Sequence, residues 1–398
     1  MNVKICIHKN ILGTDMHLST NFKQAVAWVN VPEATDYLYG FEGQDSFDVI
    51  KYLAGTEVPS QPLDKFRSPF RHTRSRQIMW SKSMPKKAYS KYFQSIQNKI
   101  CDTLASDQHG YFNERIRPLQ HLICNLQPAH INNDIYMSHF SDPNTVNKSV
   151  LASFNPTNGQ AKKVDYNLIG TATGRLTVLT GPNILTLKKD MRDILTSRFE
   201  GGKIMQFDYD SLEPRVALIL AGKMPTRDIY VDLCKKVLGG KYGRQTAKLL
   251  TIATLYGMGV NRVKELLGVS KITAREVLDK LELFFGVADI KSQLETQAES
   301  GCIKNHFGRN IWVRNSAPHV LYNNYIQSTA MDAALEGFYN IVEGVKENGH
   351  KCVPIFLLHD AIIFDCHPDT FDKLEDIMKP GQSVPAFDSK LYMSEEEV

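Results

Sequence analysis

The feature of this chain that most limits its possible folds is a pair of apolar segments, far apart in sequence, that each lead into an aspartate. The first segment, residues 203–207, runs directly into Asp208. The second, residues 353–364, carries the polar pair His359 and Asp360 at its centre. Apolar runs on both sides of a polar dipeptide predict a hairpin of buried strands with a tight turn. Because mostly helical sequence, including residues 264–285, separates the two segments, we expect an α+β protein with helices inserted into a small sheet.

Length and composition exclude several classes of protein. The chain has 398 residues, of which 42% are hydrophobic and 23% charged, as is typical of a globular domain assembly. No apolar run is long enough to cross a membrane, and the N-terminus lacks the apolar stretch of a secretory signal. The seven cysteines are scattered without a CxxC pair, which argues against a disulfide framework or a zinc site and favours a reducing compartment. We therefore expect a cytoplasmic protein with no membrane partner.

Asp208 and Asp360 are the candidate catalytic residues. A carboxylate at the end of a buried strand is costly unless a partner satisfies it, and divalent cations do so well. Two Mg²⁺ ions bridged by such carboxylates can clamp the attacking and leaving oxygens of a phosphoryl transfer. From the residues alone, the alternative is that one aspartate caps a helix and the other lies in a turn.

Residues 244–257 are predicted to form a helix with one functional face. Four side chains recur on that face every four residues: Arg244, Lys248, Ile252 and Tyr256. The two cations can hold a triphosphate, while the apolar and aromatic side chains can pack against a sugar and a base. Gly257 is suited to end the helix.

Five stretches, in the right order, resemble sequence blocks of family A DNA polymerases, the bacterial DNA polymerase I type. Thr171–Leu176 with Pro182 and Asn183 resembles the TxTGRLSSxxPNLQ block, and Asp208–Arg215 resembles motif A, DYSxIELR. Residues 244–257 resemble motif B, RxxxKxxxxxxxYG. Asn323–Asp332 resembles the NxPxQGxAAD helix, and His359 with Asp360 resembles motif C, HDE. The resemblance covers residues 150–398.

The resemblance implies a right-hand polymerase with a palm sheet, helical fingers and a thumb, acting on primer-template DNA and dNTPs. Two Mg²⁺ ions would be held by Asp208, Asp360 and the main-chain carbonyl of Tyr209. Glu213 would lie under the sugar and exclude a 2′-hydroxyl, beside the nucleotide-binding residues Arg244, Lys248, Ile252 and Tyr256. The residues implied to contact DNA are Arg175, Asn183, Asn323, Gln327 and His359. Catalysis would consist mostly of positioning and charge neutralisation.

The chain also departs from the family's motifs at several positions. Ala361 replaces the usual Glu of motif C, and Asp210 and Ser211 replace the common Ser and Gln of motif A. The remaining departures are Pro214 beside Glu213, Ile252 where Phe or Tyr is usual, and Tyr230 near the place of a phosphate-binding His. These changes bear on fidelity and sugar selectivity more than on the reaction itself.

A basic stretch precedes the matching blocks. Between residues 64 and 99, ten Lys and Arg accompany a single acid, Asp64, with aromatic residues interleaved. This is the electrostatic footprint of a surface that binds a phosphate backbone, although a solvated basic face is the alternative. The candidate DNA-binding residues here are Arg71, Arg74, Arg76, Lys86 and Lys87.

The expected domains follow from these blocks. They are an N-terminal region of unknown role (1–63), a thumb-like basic helical region (64–137), the first part of the palm (138–220), the fingers (221–320) and the second part of the palm (321–398). A proofreading exonuclease would need an early DxE motif, and none precedes Asp208. We therefore expect no intrinsic proofreading, and a separate exonuclease or processivity factor stays open as a partner.

Two other functions share much of this pattern. A single-subunit RNA polymerase of the phage type has the same Asp, RxxxK, YG and HD plan, but Glu213 favours a deoxyribose. A catalytically inactive relative could bind primer and template without reacting, but intact Asp208 and Asp360 argue against it. The compact form without an exonuclease suggests a phage-like enzyme.

Overall fold

The structure is a computed structural model that describes residues 4–7, 17–21, 26–29, 37–39, 85–88, 91, 117–168, 171–313 and 316–398. Arg71, Arg74 and Arg76 lie outside these residues, as does most of the predicted thumb-like region. The chain divides into two compact units. Unit 1 comprises Met1–Asn125, Asp165–Thr171 and Leu176–Thr180, and unit 2 comprises Leu126–Val164, Ala172–Arg175 and Gly181–Val398. The finer division into palm, fingers and thumb stays a prediction.

Unit 1 contains a four-stranded sheet. Its strands are β1 (Lys4–Ile7), β2 (His17–Asn21), β3 (Val26–Val29) and β4 (Tyr37–Tyr39), in the order β3-β2-β1-β4. The pairings are antiparallel except for β1 with β4, which is parallel. The same unit includes helix α1 (Arg117–Asn125) and a short antiparallel pair, Asp165–Asn167 with Thr177–Thr180. Within the predicted thumb-like helical region (64–137), residues 86–88 and 91 and the helix α1 are helical.

Unit 2 begins with two short helices, α2 (Asn133–Ser141) and α3 (Lys148–Ala152), and is built on a four-stranded antiparallel sheet. The strand β5 (Lys203–Tyr209) lies inside this sheet. The predicted hairpin is confirmed as β8 (Cys352–Leu358) and β9 (Ala361–Cys366), and the edge strand β10 (Met393–Glu397) completes the order β8-β9-β5-β10. A separate antiparallel hairpin is formed by β6 (Cys302–Lys304) and β7 (Asn310–Trp312).

Register within this sheet brings the two aspartates to the same end. Asp208 of β5 pairs directly with Ala361, the first residue of β9, so it lies beside the turn that carries Asp360. The Tyr209 amide donates to the Asp360 carbonyl at 3.1 Å. The strand therefore continues through Asp208 to Tyr209, two residues beyond its predicted end. The reason is that this backbone hydrogen bond extends the pairing between strands past the apolar run.

A long helix, α10 (Pro318–Glu347), packs against the end of β5 at Tyr209. Close approach is possible because Gly337 has no side chain, and a Cβ there would lie 1.8 Å from the Tyr209 hydroxyl oxygen. The Tyr209 hydroxyl donates to the Gly381 carbonyl at 2.6 Å, and its ring lies 5.6 Å from that of Phe338. These contacts hold Tyr209, the last residue of β5, in place.

Six helices lie between β5 and β6. They are α4 (Leu212–Leu220), α5 (Ile229–Lys236), α6 (Arg244–Leu255), α7 (Val260–Leu267), α8 (Lys271–Phe284) and α9 (Val287–Ala298). The stretch 264–285, predicted to be helical throughout, is interrupted. Gly268 ends α7 with a left-handed φ of 63°, and the Ser270 hydroxyl caps α8 by accepting from the Thr273 amide.

Two features of this part hold the helices together. Apolar side chains of α6, α8 and α9 share one buried core that includes Leu250, Leu281 and Ile290. A buried ion pair between Arg309 (0% exposed) and Asp332 (2% exposed), 2.6 Å long, ties the β6–β7 hairpin to α10. Among the described helices, none is both long and apolar enough to cross a membrane.

Candidate active site

A cavity of about 530 Å³ opens at the end of the sheet where β5 and the β8–β9 turn meet. The predicted site residues that line it are Arg175, Asp208, Tyr209, Glu213, Arg244, Lys248, Ile252, Gln327, His359 and Asp360. They come from the end of β5, from the β8–β9 turn, from α4, α6 and α10, and from the loop before Leu176. Residues separated by up to 185 positions in the sequence thus line one cavity.

Asp208 is poorly satisfied by the protein around it. Its Oδ1 atom is buried and has no hydrogen-bond partner among the described residues. Burial raises the pKa of Asp208 to about 7, and the negative charges of Asp360 and Asp210 add to the effect. A buried carboxylate without a partner costs free energy, so this oxygen requires a proton or a cation.

Asp360 lies at the tip of the hairpin. Burial also raises the pKa of Asp360, although a backbone hydrogen bond and the positive charges of Arg175 and Lys248 oppose the rise. His359 has a φ of 54°, an uncommon value for a residue with a side chain, and one that a two-residue hairpin needs at its first position. Burial, followed by the charge of Arg175, lowers the pKa of His359, so its ring is neutral near pH 7.

The residues at this end of the sheet fit a divalent cation. Both carboxylates have pKa values above their usual range, and each would gain from a nearby positive ion. Within the described part of the chain, no group of three or more His, Cys, Asp or Glu side chains could hold a metal alone. Mg²⁺ is commonly bound by one or two carboxylates, with water and substrate phosphates completing its shell, so a pair is sufficient.

The functional face predicted for residues 244–257 lies on α6. Arg244 is oriented by Asp228, whose Oδ2 lies 2.8 Å from its Nε, and its guanidinium lies 5.2 Å from the centre of the Tyr230 ring. Asp228 also caps α5, because its Oδ1 accepts from the Tyr230 amide at 3.0 Å. Lys248 lies one turn further along and is exposed. The helix ends as predicted, at Tyr256 followed by Gly257 with a φ of 76°.

A polar network links three elements around Glu213. Arg175 Nη2 donates to Glu213 Oε1 at 2.9 Å, and the Tyr256 hydroxyl lies 3.4 Å from the same oxygen. The Gln327 side-chain amide lies 3.2 Å from the Tyr256 hydroxyl and 2.7 Å from Thr173 Oγ1. Tyr256 does not line the cavity itself, but this network connects it to residues that do.

The loop that carries Arg175 is supported from behind. Gly174 has a φ of 76°, and a Cβ at this position would lie 2.6 Å from Arg309 Cζ. The buried pair of Arg309 and Asp332 is therefore packed directly against the backbone that precedes Arg175. Any side chain at Gly174 would displace this support.

Several predicted residues lie away from the cavity. Asn183 and Asn323 do not line it, although Asn323 lies one turn before Gln327 on the same face of α10. Lys86 and Lys87 are exposed residues of unit 1, and Arg71, Arg74 and Arg76 fall outside the described residues. Their assignment to DNA binding stays a prediction.

Sequence reasoning missed part of the cavity lining. Arg227 and Asp228 line it, and Asp210 and Tyr230, noted only as departures from the motifs, do so as well. Asp228 could have been found from its position before an amphipathic segment, which is typical of a helix cap. Nothing local in the sequence links Arg227 to Asp210, because that pair depends on how the loop before α5 returns to the end of β5.

Comparison with known proteins relates this geometry to one family. The sequence model of DNA polymerase family A matches residues 120–384. A DNA polymerase of Bacillus phage SP01 is 26% identical over 251 residues, which cover 51% of this chain and 27% of that protein. DNA polymerase I of Chloroflexus aurantiacus is 24% identical over 258 residues, or 56% of this chain and 27% of that protein. The chain spans about a quarter of the length of these curated relatives.

A solved structure supports the predicted fold. The POL domain of Pol1 from M. smegmatis, in complex with DNA primer-template and dNTP, aligns with a TM-score of 0.66 at 14% identity. The alignment covers 99% of this chain and 94% of that chain. The expected α+β, right-hand polymerase fold class is thereby confirmed.

Proposed function

This chain belongs to DNA polymerase family A, and we propose that it is a DNA-directed DNA polymerase that adds dNTPs to a primer 3′-end by two-metal nucleotidyl transfer. The observation that carries the proposal is the meeting of Asp208 and Asp360 at one end of the sheet, with a buried carboxylate oxygen that has no hydrogen-bond partner among the described residues. The cationic face of α6 lines the same cavity. Phosphoryl transfer requires carboxylates that bind divalent metal ions and basic side chains that bind phosphates.

Asp208 and Asp360 would hold two Mg²⁺ ions, together with the main-chain carbonyl of Tyr209. The ions supply charge neutralisation and activation of the primer hydroxyl when they are bound. The protein's own contribution is a rigid placement of the two carboxylates. Their relative position is fixed by the pairing of β5 with β9 and by the hydrogen bond from the Tyr209 amide to the Asp360 carbonyl. The hydrogen bond from the Tyr209 hydroxyl to the Gly381 carbonyl holds the end of β5 in place.

Arg244 and Lys248 would bind the triphosphate. Arg244 is held by Asp228 and Tyr230 before any substrate arrives, so little side-chain entropy is lost when its remaining N–H groups meet a phosphate. Lys248 supplies a more mobile point charge one turn away.

Glu213 would select the sugar. Arg175 and Tyr256 hold its carboxylate in place, so it cannot swing aside easily to admit a 2′-hydroxyl. Arg175, Gln327 and His359 would contact the primer terminus and its minor groove, where contacts test duplex shape without reading sequence. Asn183 and Asn323 would contact DNA outside the cavity.

The same cavity leaves two other functions to be separated by experiment. An RNA polymerase would use rNTPs, and an inactive relative would bind primer-template without extending it. The held position of Glu213 favours dNTPs, and the unsatisfied oxygen of Asp208 favours an active enzyme.

A primer-extension assay with the full chain, Mg²⁺ and four separately templated dNTPs tests the proposal. We expect incorporation of the nucleotide complementary to each template base, and little incorporation of rNTPs. A 3′-mismatched primer without dNTP should remain uncut if proofreading is absent. Preference for rNTPs would identify an RNA polymerase, and DNA binding without extension would identify an inactive relative.

A further inference from the structure

Arg227 lines the cavity but belongs to none of the motifs. Its Nη2 lies 3.1 Å from Asp210 Oδ2, and its guanidinium lies 4.6 Å from the centre of the Tyr392 ring. The side chain is nevertheless 60% exposed. A guanidinium has five N–H donors, so one ion pair leaves most of them available to a ligand.

The group that holds Arg227 is itself fixed. Asp210 Oδ1 accepts from the Ser394 hydroxyl at 3.0 Å, and the Asp210 amide donates to the Tyr392 carbonyl at 2.8 Å. Both partners belong to the C-terminal segment that forms the sheet edge at β10. The carboxylate is therefore positioned by the edge strand rather than by a flexible loop.

The backbone of Arg227 is fixed as well. The fully buried Arg215 donates to the main-chain carbonyl of Thr226 at 3.0 Å and to that of Arg227 at 3.2 Å. Arg215 also packs on Tyr392, with its guanidinium 4.7 Å from the ring centre. The main chain of Arg227 is thus held by Arg215, and its guanidinium is held by Asp210. A solvent-facing cation needs both parts to be held if it is to keep one orientation toward a ligand.

The anchor of Arg227 lies between the two established parts of the cavity. Arg227 and Asp210 line the same cavity as the paired aspartates and the cationic residues of α6. Asp210, held 3.1 Å from Arg227, is also only two residues beyond Asp208 at the end of β5. Its pairing mirrors that of Arg244, since each arginine is held by one carboxylate and one aromatic ring.

We propose that Arg227 is a third polyphosphate-binding residue of this site, alongside Arg244 and Lys248, and that Asp210 and Tyr392 position it; this rests on the proposed function. Arg227 binds the phosphate chain of the incoming nucleoside triphosphate through the N–H groups that Asp210 does not use. The same contacts bind pyrophosphate, the group released by nucleotidyl transfer. Because Arg227 faces neither the base nor the sugar in this role, it contributes equally for all four dNTPs.

The test is calorimetric binding of dATP and of inorganic pyrophosphate to the full chain with Mg²⁺, together with the Kd for primer-template DNA. Arg227→Ala should weaken both ligands about tenfold, or about 1.4 kcal/mol, and leave the Kd for DNA unchanged. Arg227→Lys should weaken the binding of both ligands less than Arg227→Ala does. For Tyr392→Leu, the affinities should lie between those of the parent protein and those of Arg227→Ala. The matched control is Arg275→Ala, because Arg275 is 63% exposed and paired with Asp279 on α8, outside the cavity.

The outcomes separate this inference from the proposed function. Unchanged binding of dATP and pyrophosphate by Arg227→Ala overturns the role of Arg227 alone. Equal losses for dATP and DNA would mean that Arg227 only supports the fold, which also overturns it. Failure of the unsubstituted protein to bind dATP overturns both proposals. If Arg227→Ala does not fold, the comparison of Arg227→Lys and Tyr392→Leu with Arg275→Ala decides by the same criteria.

Discussion

At the scale of single residues, Asp208 is held in a state that favours function over stability. Its pKa of about 7 lies above the value for an exposed aspartate, so the folded protein retains a proton that the unfolded chain releases. Stability contributed by this group is present at low pH and is lost as the pH rises through 7. Above pH 7, the metal-free protein therefore carries the cost of a buried charge.

This cost predicts a stabilising substitution. With EDTA present, Asp208→Asn should raise the free energy of unfolding at pH 8 by about 1–3 kcal/mol, a value that allows for the partial exposure of the Asp208 side chain. The gain in the free energy of unfolding should shrink toward zero near pH 4. Denaturant titrations at both pH values measure it. The exposed Asp279→Asn, on α8, is the control and should show no such dependence. A gain of equal size at both pH values would contradict the assigned cause.

Sugar selection is also proposed to depend on a single residue, Glu213. Glu213→Ala should reduce the preference for dNTP over rNTP, measured as a ratio of kcat/KM values, by about tenfold or more, because the obstacle under the 2′-position is removed. Glu213→Gln keeps the size and the bonds to Arg175 and Tyr256, and should retain most of the preference. Glu265→Ala removes a similar arginine pair on the surface of α7 and serves as the control. An unchanged ratio in Glu213→Ala would favour the RNA polymerase alternative.

Single residues of the site were predictable where a motif carries them. Asp208, Glu213 and Asp360 follow from their blocks, and their chemistry is visible in the sequence. The unpartnered Oδ1 of Asp208 and the pairing of Arg227 with Asp210 were not predictable, because both depend on which atoms of distant segments come within bonding distance.

At the scale of elements, α6 is proposed to bind the triphosphate through Arg244 and Lys248. Arg244→Ala and Lys248→Ala should each lower kcat/KM for dNTP by about tenfold, with Lys248→Ala affecting kcat more. Pre-steady-state incorporation separates the binding and rate effects. Lys280→Ala, an exposed cation on α8, is the control. If both variants stay within about twofold of the parent protein, α6 does not bind the triphosphate.

Element boundaries show where sequence patterns stop being informative. The β8–β9 hairpin and the helix α6 were predicted correctly, since apolar runs and a four-residue spacing are local properties. The break at Gly268 and the extension of β5 to Tyr209 were missed. The first depends on a glycine cap inside a helical pattern, and the second on a hydrogen bond to the turn residue Asp360, more than 150 residues away.

At the scale of the whole molecule, DNA affinity is predicted to reside partly in the basic stretch of residues 64–99. Neutralising Arg71, Arg74, Arg76, Lys86 and Lys87 together should weaken DNA binding and flatten its salt dependence, by about 0.9 in the log–log slope for each lost phosphate contact. Incorporation of one nucleotide at saturating DNA should change little, because the cavity lies entirely in unit 2. An unaltered slope would identify the stretch as an ordinary solvated surface.

The central claim is that Asp208 and Asp360 together carry nucleotidyl transfer in unit 2. Single-turnover incorporation of a correctly paired dNTP into a bound primer, with Mg²⁺, tests it most directly in Asp208→Asn and Asp360→Asn, with Asp279→Asn as control. Each site variant should lose at least about a thousandfold in rate while its Kd for primer-template DNA stays near that of the parent protein. Incorporation by either site variant at a rate close to that of the control would contradict the claim.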